Sequence, residues 1–563
     1  MLPNQMTLDR AFRSLKDGEP FIGDNEKEYT DALVRSISPV MQLREDIGVQ
    51  PFHYLTLLRP GLILAEPALY RFAYKRMQAK GPLEQKIAAR VMRMIQTQKK
   101  LATEVDKDFL TEFQGSSFAQ HLMYTRASEL RTFSCAVGLH AAQTTAAVMR
   151  MSPAVNHVFS SLSNYARSIR SSSVQNRIKS KRLFDEIQNG LSTALGEERI
   201  SLIKKDGGPL KLISDAPIEW LPIDGLPMSM RYDCSRINAT PGNLLMALLS
   251  IPRTLTFTPK ELQKVLIVSS FEDGDALKNM MRRSVDSLKE IIKDKVTVTI
   301  KSVKSEAEFV EALNAYDGNI VVFDGHGIDN ADDPISRLAI GKDSVDVWQL
   351  RGRVRVPPIV ILSACDTHTI DASTQATVGN GFLMLGTRTV LATLLPVDGM
   401  ASAAFVGRLL YRLADFVPAA MSARERVLNW TEIVSGMLRM TLATEILDGL
   451  IGPPTSDRDS PRGKLQLQAN KDINIRETDQ WYERLIDGIA KQRGDAVADI
   501  ARKAGAIVAR SDSIRYVQLG HPETILVDDG QIEKRVMEQY GTAANPDAAP
   551  DDSSGQSQNP KDS

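Results

Sequence analysis

Two segments of the sequence end in side chains that can act together as a nucleophile and a base. The apolar segment NIVVFDGHG, residues 319–327, carries His326 between two glycines, and PPIVILSACDT, residues 357–367, carries Cys365 after a second apolar run. Both runs have the length and composition of buried strands. Because functional groups in an α/β sheet gather at the carboxyl ends of its strands, we expect the imidazole and the thiol to meet if these strands are neighbours.

The chemistry that this pair offers is nucleophilic attack on a carbonyl carbon. A free thiol has a pKa of about 8.5 and is mostly protonated at neutral pH, so it needs a base. An imidazole can accept that proton and later return it to a leaving amine. We therefore predict that Cys365 is a nucleophile and that His326 is its base. The backbone N–H groups of Gly327 and Cys365 are the expected donors to an oxyanion, because the glycines beside His326 leave the backbone accessible.

Each of these residues also has a purely structural interpretation. A cysteine at a strand end is usually a small buried apolar residue, and a histidine after a strand is usually a hydrogen-bonded loop residue. His368 follows Cys365 closely and is a rival base, which we rank below His326 because it lacks the Gly-His-Gly setting. Cys135 and Cys234 are expected to be structural.

The elements around the two strand ends alternate between strand and helix patterns. Strands that alternate with helices predict an α/β fold with a mainly parallel sheet flanked by helices. The stretch after residue 541 lacks aromatic and large apolar residues and is predicted to be disordered. The predicted parts are a helical N-terminal region (1–190), an α/β core (191–415), a helical segment (416–510), closing strands of the core (511–535) and a disordered tail (541–563).

The composition excludes several classes of function. Lys plus Arg and Asp plus Glu number 69 each, so there is no overall charge to attract nucleic acid or acidic membranes, and a basic cluster at 167–182 has little aromatic interleaving. The three cysteines form no CxxC pair, which predicts neither a disulfide framework nor a metal site and suits a reducing cytoplasm. No apolar run approaches the length of a membrane helix. The phosphate-binding patterns GxGxxG and GxxxxGK[ST] are absent, which disfavours a nucleotide-binding protein.

The motifs DGHG and LSACDT resemble the His and Cys motifs of CHAT-domain peptidases, which are relatives of caspases, separases and gingipains. The resemblance extends to PIEWLPIDGLPMSMRY before the sheet, to VGNGFLMLGTRTVLATLLPVD after Cys365, and to YVQLGHPETILV near the end of the chain. It therefore covers roughly residues 195–415 and 510–530. His368 stands where these relatives commonly have Gly, His521 where they often have Asp, and Leu394 or Leu395 where they have Trp.

The resemblance implies a caspase-like fold and a cysteine endopeptidase that needs no cofactor. It further implies regulated cleavage of specific protein substrates, of the defence or cell-death type, with a regulatory protein partner. The alternative hypothesis is a catalytically inactive caspase-like scaffold that binds proteins. We expect neither a nucleic-acid nor a membrane partner.

Two carboxylates near the Cys365 strand end are candidates for a substrate pocket. Asp366 adjoins Cys365, and Asp398 follows the next predicted strand, where an acid in the relatives can select basic residues. A shielded carboxylate pairs well with Arg or Lys, so a basic residue is expected before the cleaved bond. For Asp398 the alternative is an N-cap of the next helix. Glu272 and Asp273 are expected to be solvated loop acids.

Overall fold

A computed structural model describes most of the chain. The described residues are 2–14, 26–48, 58–68, 82–101, 107–169, 174–250, 253–328, 335–365, 367–368, 376–424, 426–454, 457, 459–475, 480–531 and 534. The predicted tail at 541–563 lies outside them.

A ten-stranded sheet forms the centre of the described structure. Numbered in chain order, its strands are β1 (Leu62–Ala65), β2 (Ala147–Arg150), β3 (Leu210–Ile213), β4 (Cys234–Ile237), β5 (Lys264–Ser269), β6 (Thr297–Ser302), β7 (Ile320–Asp324), β8 (Ile359–Ser363), β9 (Thr389–Thr393) and β10 (Tyr516–Gly520). Their order across the sheet is β2-β1-β3-β4-β10-β9-β8-β7-β5-β6. The middle strands β7, β8 and β9 are buried at every position, as expected for strands covered on both faces.

The sheet consists of two parallel halves that run in opposite directions. Strands β2, β1, β3, β4 and β10 are parallel to one another, and so are β9, β8, β7, β5 and β6. The one antiparallel pairing within this sheet joins β9 to β10, with Thr389 opposite Gly520 and Thr393 opposite Tyr516. The predicted α/β class with a mainly parallel sheet is confirmed.

Helices cover both faces of the sheet and make up the rest of the core. Their bounds are Leu2–Arg10, Glu26–Gly48, Pro82–Gln96, Lys107–Gln114, Ser117–Thr144, Phe159–Ile169, Val174–Leu195, Glu197–Asp206, Met228–Arg231, Gly242–Leu249, Pro259–Leu262, Met280–Ile292, Glu306–Asn314, Val378–Met384, Gly399–Tyr411, Val417–Arg424, Trp430–Leu450, Pro461–Ile475, Trp481–Arg493 and Val497–Val508. No described helix is long and apolar enough to cross a membrane.

Two helices cover the face of the sheet on which the ends of β7 and β8 carry polar residues. The helices Met280–Ile292 and Gly399–Tyr411 pack together there, and Ser402 of the second bonds to Ser363 at the end of β8, with their Oγ atoms 2.8 Å apart. The helix Glu306–Asn314 packs on the opposite face, where the rings of Phe309 and Phe323 meet edge to face.

The N-terminal region is not purely helical. Strands β1 and β2 lie within it and extend the central sheet by parallel pairing with β3. The interpretation of residues 1–190 as helical omitted both strands. Each has four residues, and a short apolar run inside a helix-rich region does not reveal its period.

A buried ion pair lies close to the antiparallel junction. The Lys211 ammonium on β3 donates to Glu523 Oε1 at 2.9 Å, to the Ser235 hydroxyl at 3.1 Å and to the Gly520 carbonyl oxygen. Burial raises the pKa of Glu523, but Lys211 and then His521 outweigh that effect and hold it well below its usual value. The pair is therefore charged although both side chains are almost fully buried.

The change Glu523→Gln is expected to lower the free energy of unfolding by about 3–5 kcal/mol, because it leaves the Lys211 ammonium buried without its counter-charge. Urea denaturation followed by circular dichroism measures the effect. Asp317→Asn is the matched control, since Asp317 forms an exposed ion pair with Lys264 and such pairs contribute little. Equal shifts of the two midpoints would contradict the prediction.

Candidate active site

The strands β7 and β8 bring His326 and Cys365 to one place. Asp324, the last residue of β7, pairs in parallel with Ser363, the last residue of β8. His326 and Cys365 each follow two residues later. Both side chains line the same cleft as Asp324 and Ser363.

The two reactive residues line one small cleft, about 40 Å³ in volume, at this edge of the sheet. This volume is far below the roughly 300–1,000 Å³ of small-molecule sites, so the size of the cleft suits a single side chain rather than a whole small molecule. The described residues that line it are Phe271, Leu277, Met280, Asp324, Gly325, His326, Ser363, Ala364, Cys365, Val397, Gly399 and Ser402.

The His326 imidazole is oriented by two residues that follow β5. Its Nε2 lies 2.8 Å from Asp275 Oδ2, and its ring meets the Phe271 ring edge to face with centroids 5.1 Å apart. About half of the imidazole surface is exposed, so a substrate can reach the ring.

The Asp275 carboxyl is ionised. The hydrogen bond from His326, followed by the bond from the Leu277 N–H, holds the pKa of Asp275 below its usual value. A carboxylate can only accept, so Nε2 of His326 carries the ring proton and Nδ1 keeps a lone pair. The imidazole is thus in the tautomer that can accept a proton through Nδ1.

The Cys365 thiol is partly buried and donates to the Val397 carbonyl oxygen at 3.4 Å. This bond stabilises the protonated thiol, because a thiolate has no proton to donate. The nucleophile must therefore leave Val397 when it is deprotonated. The loop that contains Val397 follows β9, so a third strand of the sheet contributes to the site.

The backbone at Gly327 passes very close to the backbone at Cys365. A Cβ atom at Gly327 would overlap the Cys365 carbonyl oxygen, which cannot move away as a flexible side chain can. Glycine is therefore required here by the close approach of the two strand ends. The assignment of the Gly327 and Cys365 N–H groups as oxyanion donors stays a prediction.

The other residues named from the sequence have different positions. Asp398 is exposed, and its Oδ1 accepts from the N–H groups of Met400 and Ala401, both at 2.9 Å, as the N-cap of the helix Gly399–Tyr411. It is not among the described residues that line the cleft. Asp366 lies outside the described residues.

His368 is fully buried beneath the site rather than in the cleft. Its Nδ1 lies 2.9 Å from Thr377 Oγ1. Burial, followed by the nearby charge of Arg236, lowers the pKa of His368 to about 3, so the ring is neutral at physiological pH. Cys234 is buried in the core and Cys135 is exposed on a helix.

Two carboxyl groups at the site were missed by the sequence interpretation. Asp275 lies in a loop whose other acids, Glu272 and Asp273, were interpreted as solvated; Asp273 does form exposed ion pairs with Lys278 and Lys304. Asp324 lies at the base of the cleft with 5% of its surface exposed. The sequence signal that could have identified Asp324 was its position two residues before His326, at the end of a predicted buried strand.

One of the comparisons with known proteins gives a match. A family model described as CHAT domain matches residues 119–429, which is more than half of the chain and includes His326 and Cys365. The matched range also includes β2 and ends before β10. A search of curated proteins found no match. Among the described residues, no cluster of His, Cys, Asp or Glu could hold a metal ion.

Gly327→Ala is expected to destabilise the fold by about 1–3 kcal/mol, because the added methyl overlaps backbone. It should also alter the alkylation rate of Cys365 by iodoacetamide, since the strand ends must separate. Gly242→Ala is the control, because a Cβ there meets no atom within 4 Å. Thermal melting and mass spectrometry of the alkylated peptide measure the two effects, and wild-type values for both variants would refute the close approach.

Proposed function

Because the chain belongs to the CHAT-domain family, we propose that it is a cysteine endopeptidase in which Cys365 is the nucleophile and His326 the general base. The observation that carries the proposal is the register of β7 on β8. That register brings a thiol and an imidazole together at one cleft, beside a carboxylate that orients the imidazole. A buried structural cysteine and a satisfied loop histidine have no need of this arrangement.

The proposed reaction has two halves. His326 Nδ1 takes the Cys365 proton, and the thiolate attacks the carbonyl carbon of the substrate peptide bond. The N–H groups of Gly327 and Cys365 donate to the oxyanion, and the imidazolium returns its proton to the departing amine. Water, deprotonated by His326, then hydrolyses the thioester and regenerates the thiol.

Asp275 acts in this scheme as a positioning residue for His326. Its carboxylate accepts from Nε2, which keeps Nδ1 available to the thiol and stabilises the imidazolium formed during the reaction. Phe271 restricts the ring from one side through its edge-to-face contact.

The expected substrates are specific proteins, and the expected setting is regulated cleavage of the defence or cell-death type. A cleft of this size accepts a single side chain of the substrate. This favours selective cleavage of a partner over bulk digestion. The N-terminal region at 1–190 and the helical segment at 416–510 are proposed to hold a regulatory protein partner. Cytoplasmic placement is supported by the three cysteines, which are free thiols in the described structure.

The second candidate function is a non-catalytic scaffold that binds proteins. The observation in its favour is the bond from the Cys365 thiol to the Val397 carbonyl, which holds the nucleophile in its protonated form. Mass spectrometry of cleaved partners distinguishes the two functions, with Cys365→Ala as the comparison. Fragments that appear only with the wild-type chain support the peptidase.

Cys365→Ala and His326→Ala are each expected to lower kcat/KM by at least about 10³-fold, and the double variant should be little worse than either, because the two groups act as a unit. Fluorogenic peptide turnover measures this. Cys135→Ala is the matched control, since that thiol is exposed and remote from the cleft. Peptidase activity near the wild-type level in Cys365→Ala would contradict the assignment of Cys365 as the nucleophile.

Asp275→Asn is expected to lower kcat by about 10²–10⁴-fold with little change in KM, because an amide can donate to Nε2 and so favour the wrong tautomer. Asp275→Glu should restore part of kcat. Asp273→Asn is the control, since Asp273 pairs only with exposed lysines in the contacts described above. Equal kcat values for the Asp275→Asn and Asp273→Asn variants would contradict the positioning role.

A further inference from the structure

One carboxyl group in the cleft has no part in the peptide-bond chemistry. Asp324 ends β7, two residues before His326, and only 5% of its surface is exposed. Its Oδ2 atom is buried and has no hydrogen-bond partner. A buried acceptor without a partner is costly, and such groups in native proteins call for an explanation.

Part of the cleft lining is apolar. Phe271 and Leu277 line the cleft from the segment between β5 and the helix Met280–Ile292, and Met280 lines it from the start of that helix. The hydroxyls of Ser363 and Ser402, which also line the cleft, bond to each other at 2.8 Å. Apolar lining beside a buried carboxyl oxygen that has no hydrogen-bond partner matches a side chain with a methylene stem and a cationic end.

Asp324 lies close to the reacting residues. It precedes His326 by two residues, and its partner Ser363 precedes Cys365 by two residues. All four residues line the same cleft. A substrate residue whose carbonyl carbon is at the Cys365 thiol can therefore direct its own side chain toward Asp324.

We propose that Asp324 is the specificity-determining residue of this peptidase and that the cleft takes an arginine or lysine side chain immediately before the cleaved bond. This inference rests on the proposed endopeptidase function and adds its substrate class. It assigns the role to Asp324 rather than to Asp398, which caps a helix.

The electrostatics of the site favour a cationic substrate side chain. Burial raises the pKa of Asp324 to about 7; a hydrogen bond involving Ser269 opposes this effect, and the Asp275 carboxylate adds to it. The titratable groups that face the cleft with Asp324 are His326 and Cys365, and the helix Gly399–Tyr411 contributes the uncharged Ser402. An entering guanidinium would supply the counter-charge that none of these groups provides.

The test compares two peptide substrates that differ only in the residue before the cleaved bond, arginine in one and its neutral isostere citrulline in the other. The wild-type kcat/KM is expected to be about 10²-fold or more higher for arginine, since the neutral isostere leaves the buried carboxyl without its charge partner. In Asp324→Asn this ratio should fall to within about tenfold of one. Asp398→Asn and Asp366→Asn should keep the wild-type ratio.

A second measurement needs no variant and so does not depend on the folding of Asp324→Asn. In the wild-type enzyme the arginine-to-citrulline ratio of kcat/KM should rise as the pH increases from 6 to 8. Asp324 loses its proton over this range. The resulting carboxylate favours the charged arginine, and kcat/KM reports the ionisation state of the free enzyme. Both peptides use the same catalytic groups, so the pH dependence of the bond cleavage itself cancels in the ratio.

Three results would overturn the inference while leaving the peptidase function intact. They are equal turnover of both peptides by the wild type, an unchanged ratio in Asp324→Asn, and loss of the preference in Asp366→Asn or Asp398→Asn instead. If neither peptide is cleaved, and neither an arginyl nor a citrullyl acyloxymethyl ketone labels Cys365, then the proposed function fails and this inference fails with it.

Discussion

The parallel register of β7 on β8 is the constraint on which the rest of the site depends. It aligns Asp324 with Ser363, and the residues two positions later, His326 and Cys365, line one cleft. A slip by one residue would turn one of the two side chains to the opposite face. The register is held by strands buried on both faces, and the glycine at 327 lets the chain beyond β7 pass against the carbonyl of Cys365.

The second constraint is the antiparallel pairing of β9 with β10. It joins two parallel half-sheets, and among the described strands the strand pairing between these halves is made by β9 and β10. The buried pair of Lys211 and Glu523 lies beside this junction and within the first half, since Lys211 lies on β3 and Glu523 follows β10. Replacing either partner alone leaves a buried charge, so the pair couples the late strand to the early half of the sheet.

The sequence identified the parts of the site that depend on local pattern, and it missed those that depend on packing between distant segments. The apolar runs that end at Asp324 and Ser363 predicted β7 and β8, and alternation along the chain predicted the class of sheet. The choice of Asp275 among three neighbouring acids depends on how one loop crosses His326, which spacing does not encode. The sequence alone fits Asp398 equally as a substrate-pocket acid and as a helix N-cap. The N–H groups of Met400 and Ala401, which donate to it, identify it as the N-cap. The strands β1 and β2 were too short to show a period of their own.

The contacts around Val397 explain why a segment more than a hundred residues after Cys365 belongs to the same site. The loop whose Val397 carbonyl accepts the hydrogen bond of the thiol is held by the stretch before β10. Arg515 donates to the Pro396 carbonyl at 2.7 Å, and the Asp398 N–H donates to Asp512 at 3.1 Å. Glu445, in the helix Trp430–Leu450, in turn accepts from the Asp512 N–H at 3.2 Å.

A continuous set of hydrogen bonds therefore runs from the late helical segment to the carbonyl that holds the Cys365 thiol. Deprotonation of the thiol removes the last bond of this set, so the position of the Val397 carbonyl and the protonation of the nucleophile are linked. Any displacement of the helix Trp430–Leu450 that moves Asp512 also moves the Asp398 N–H and the carbonyl beside it. The helical segment at 416–510 is thus mechanically part of the site, although it contributes none of the described residues that line the cleft.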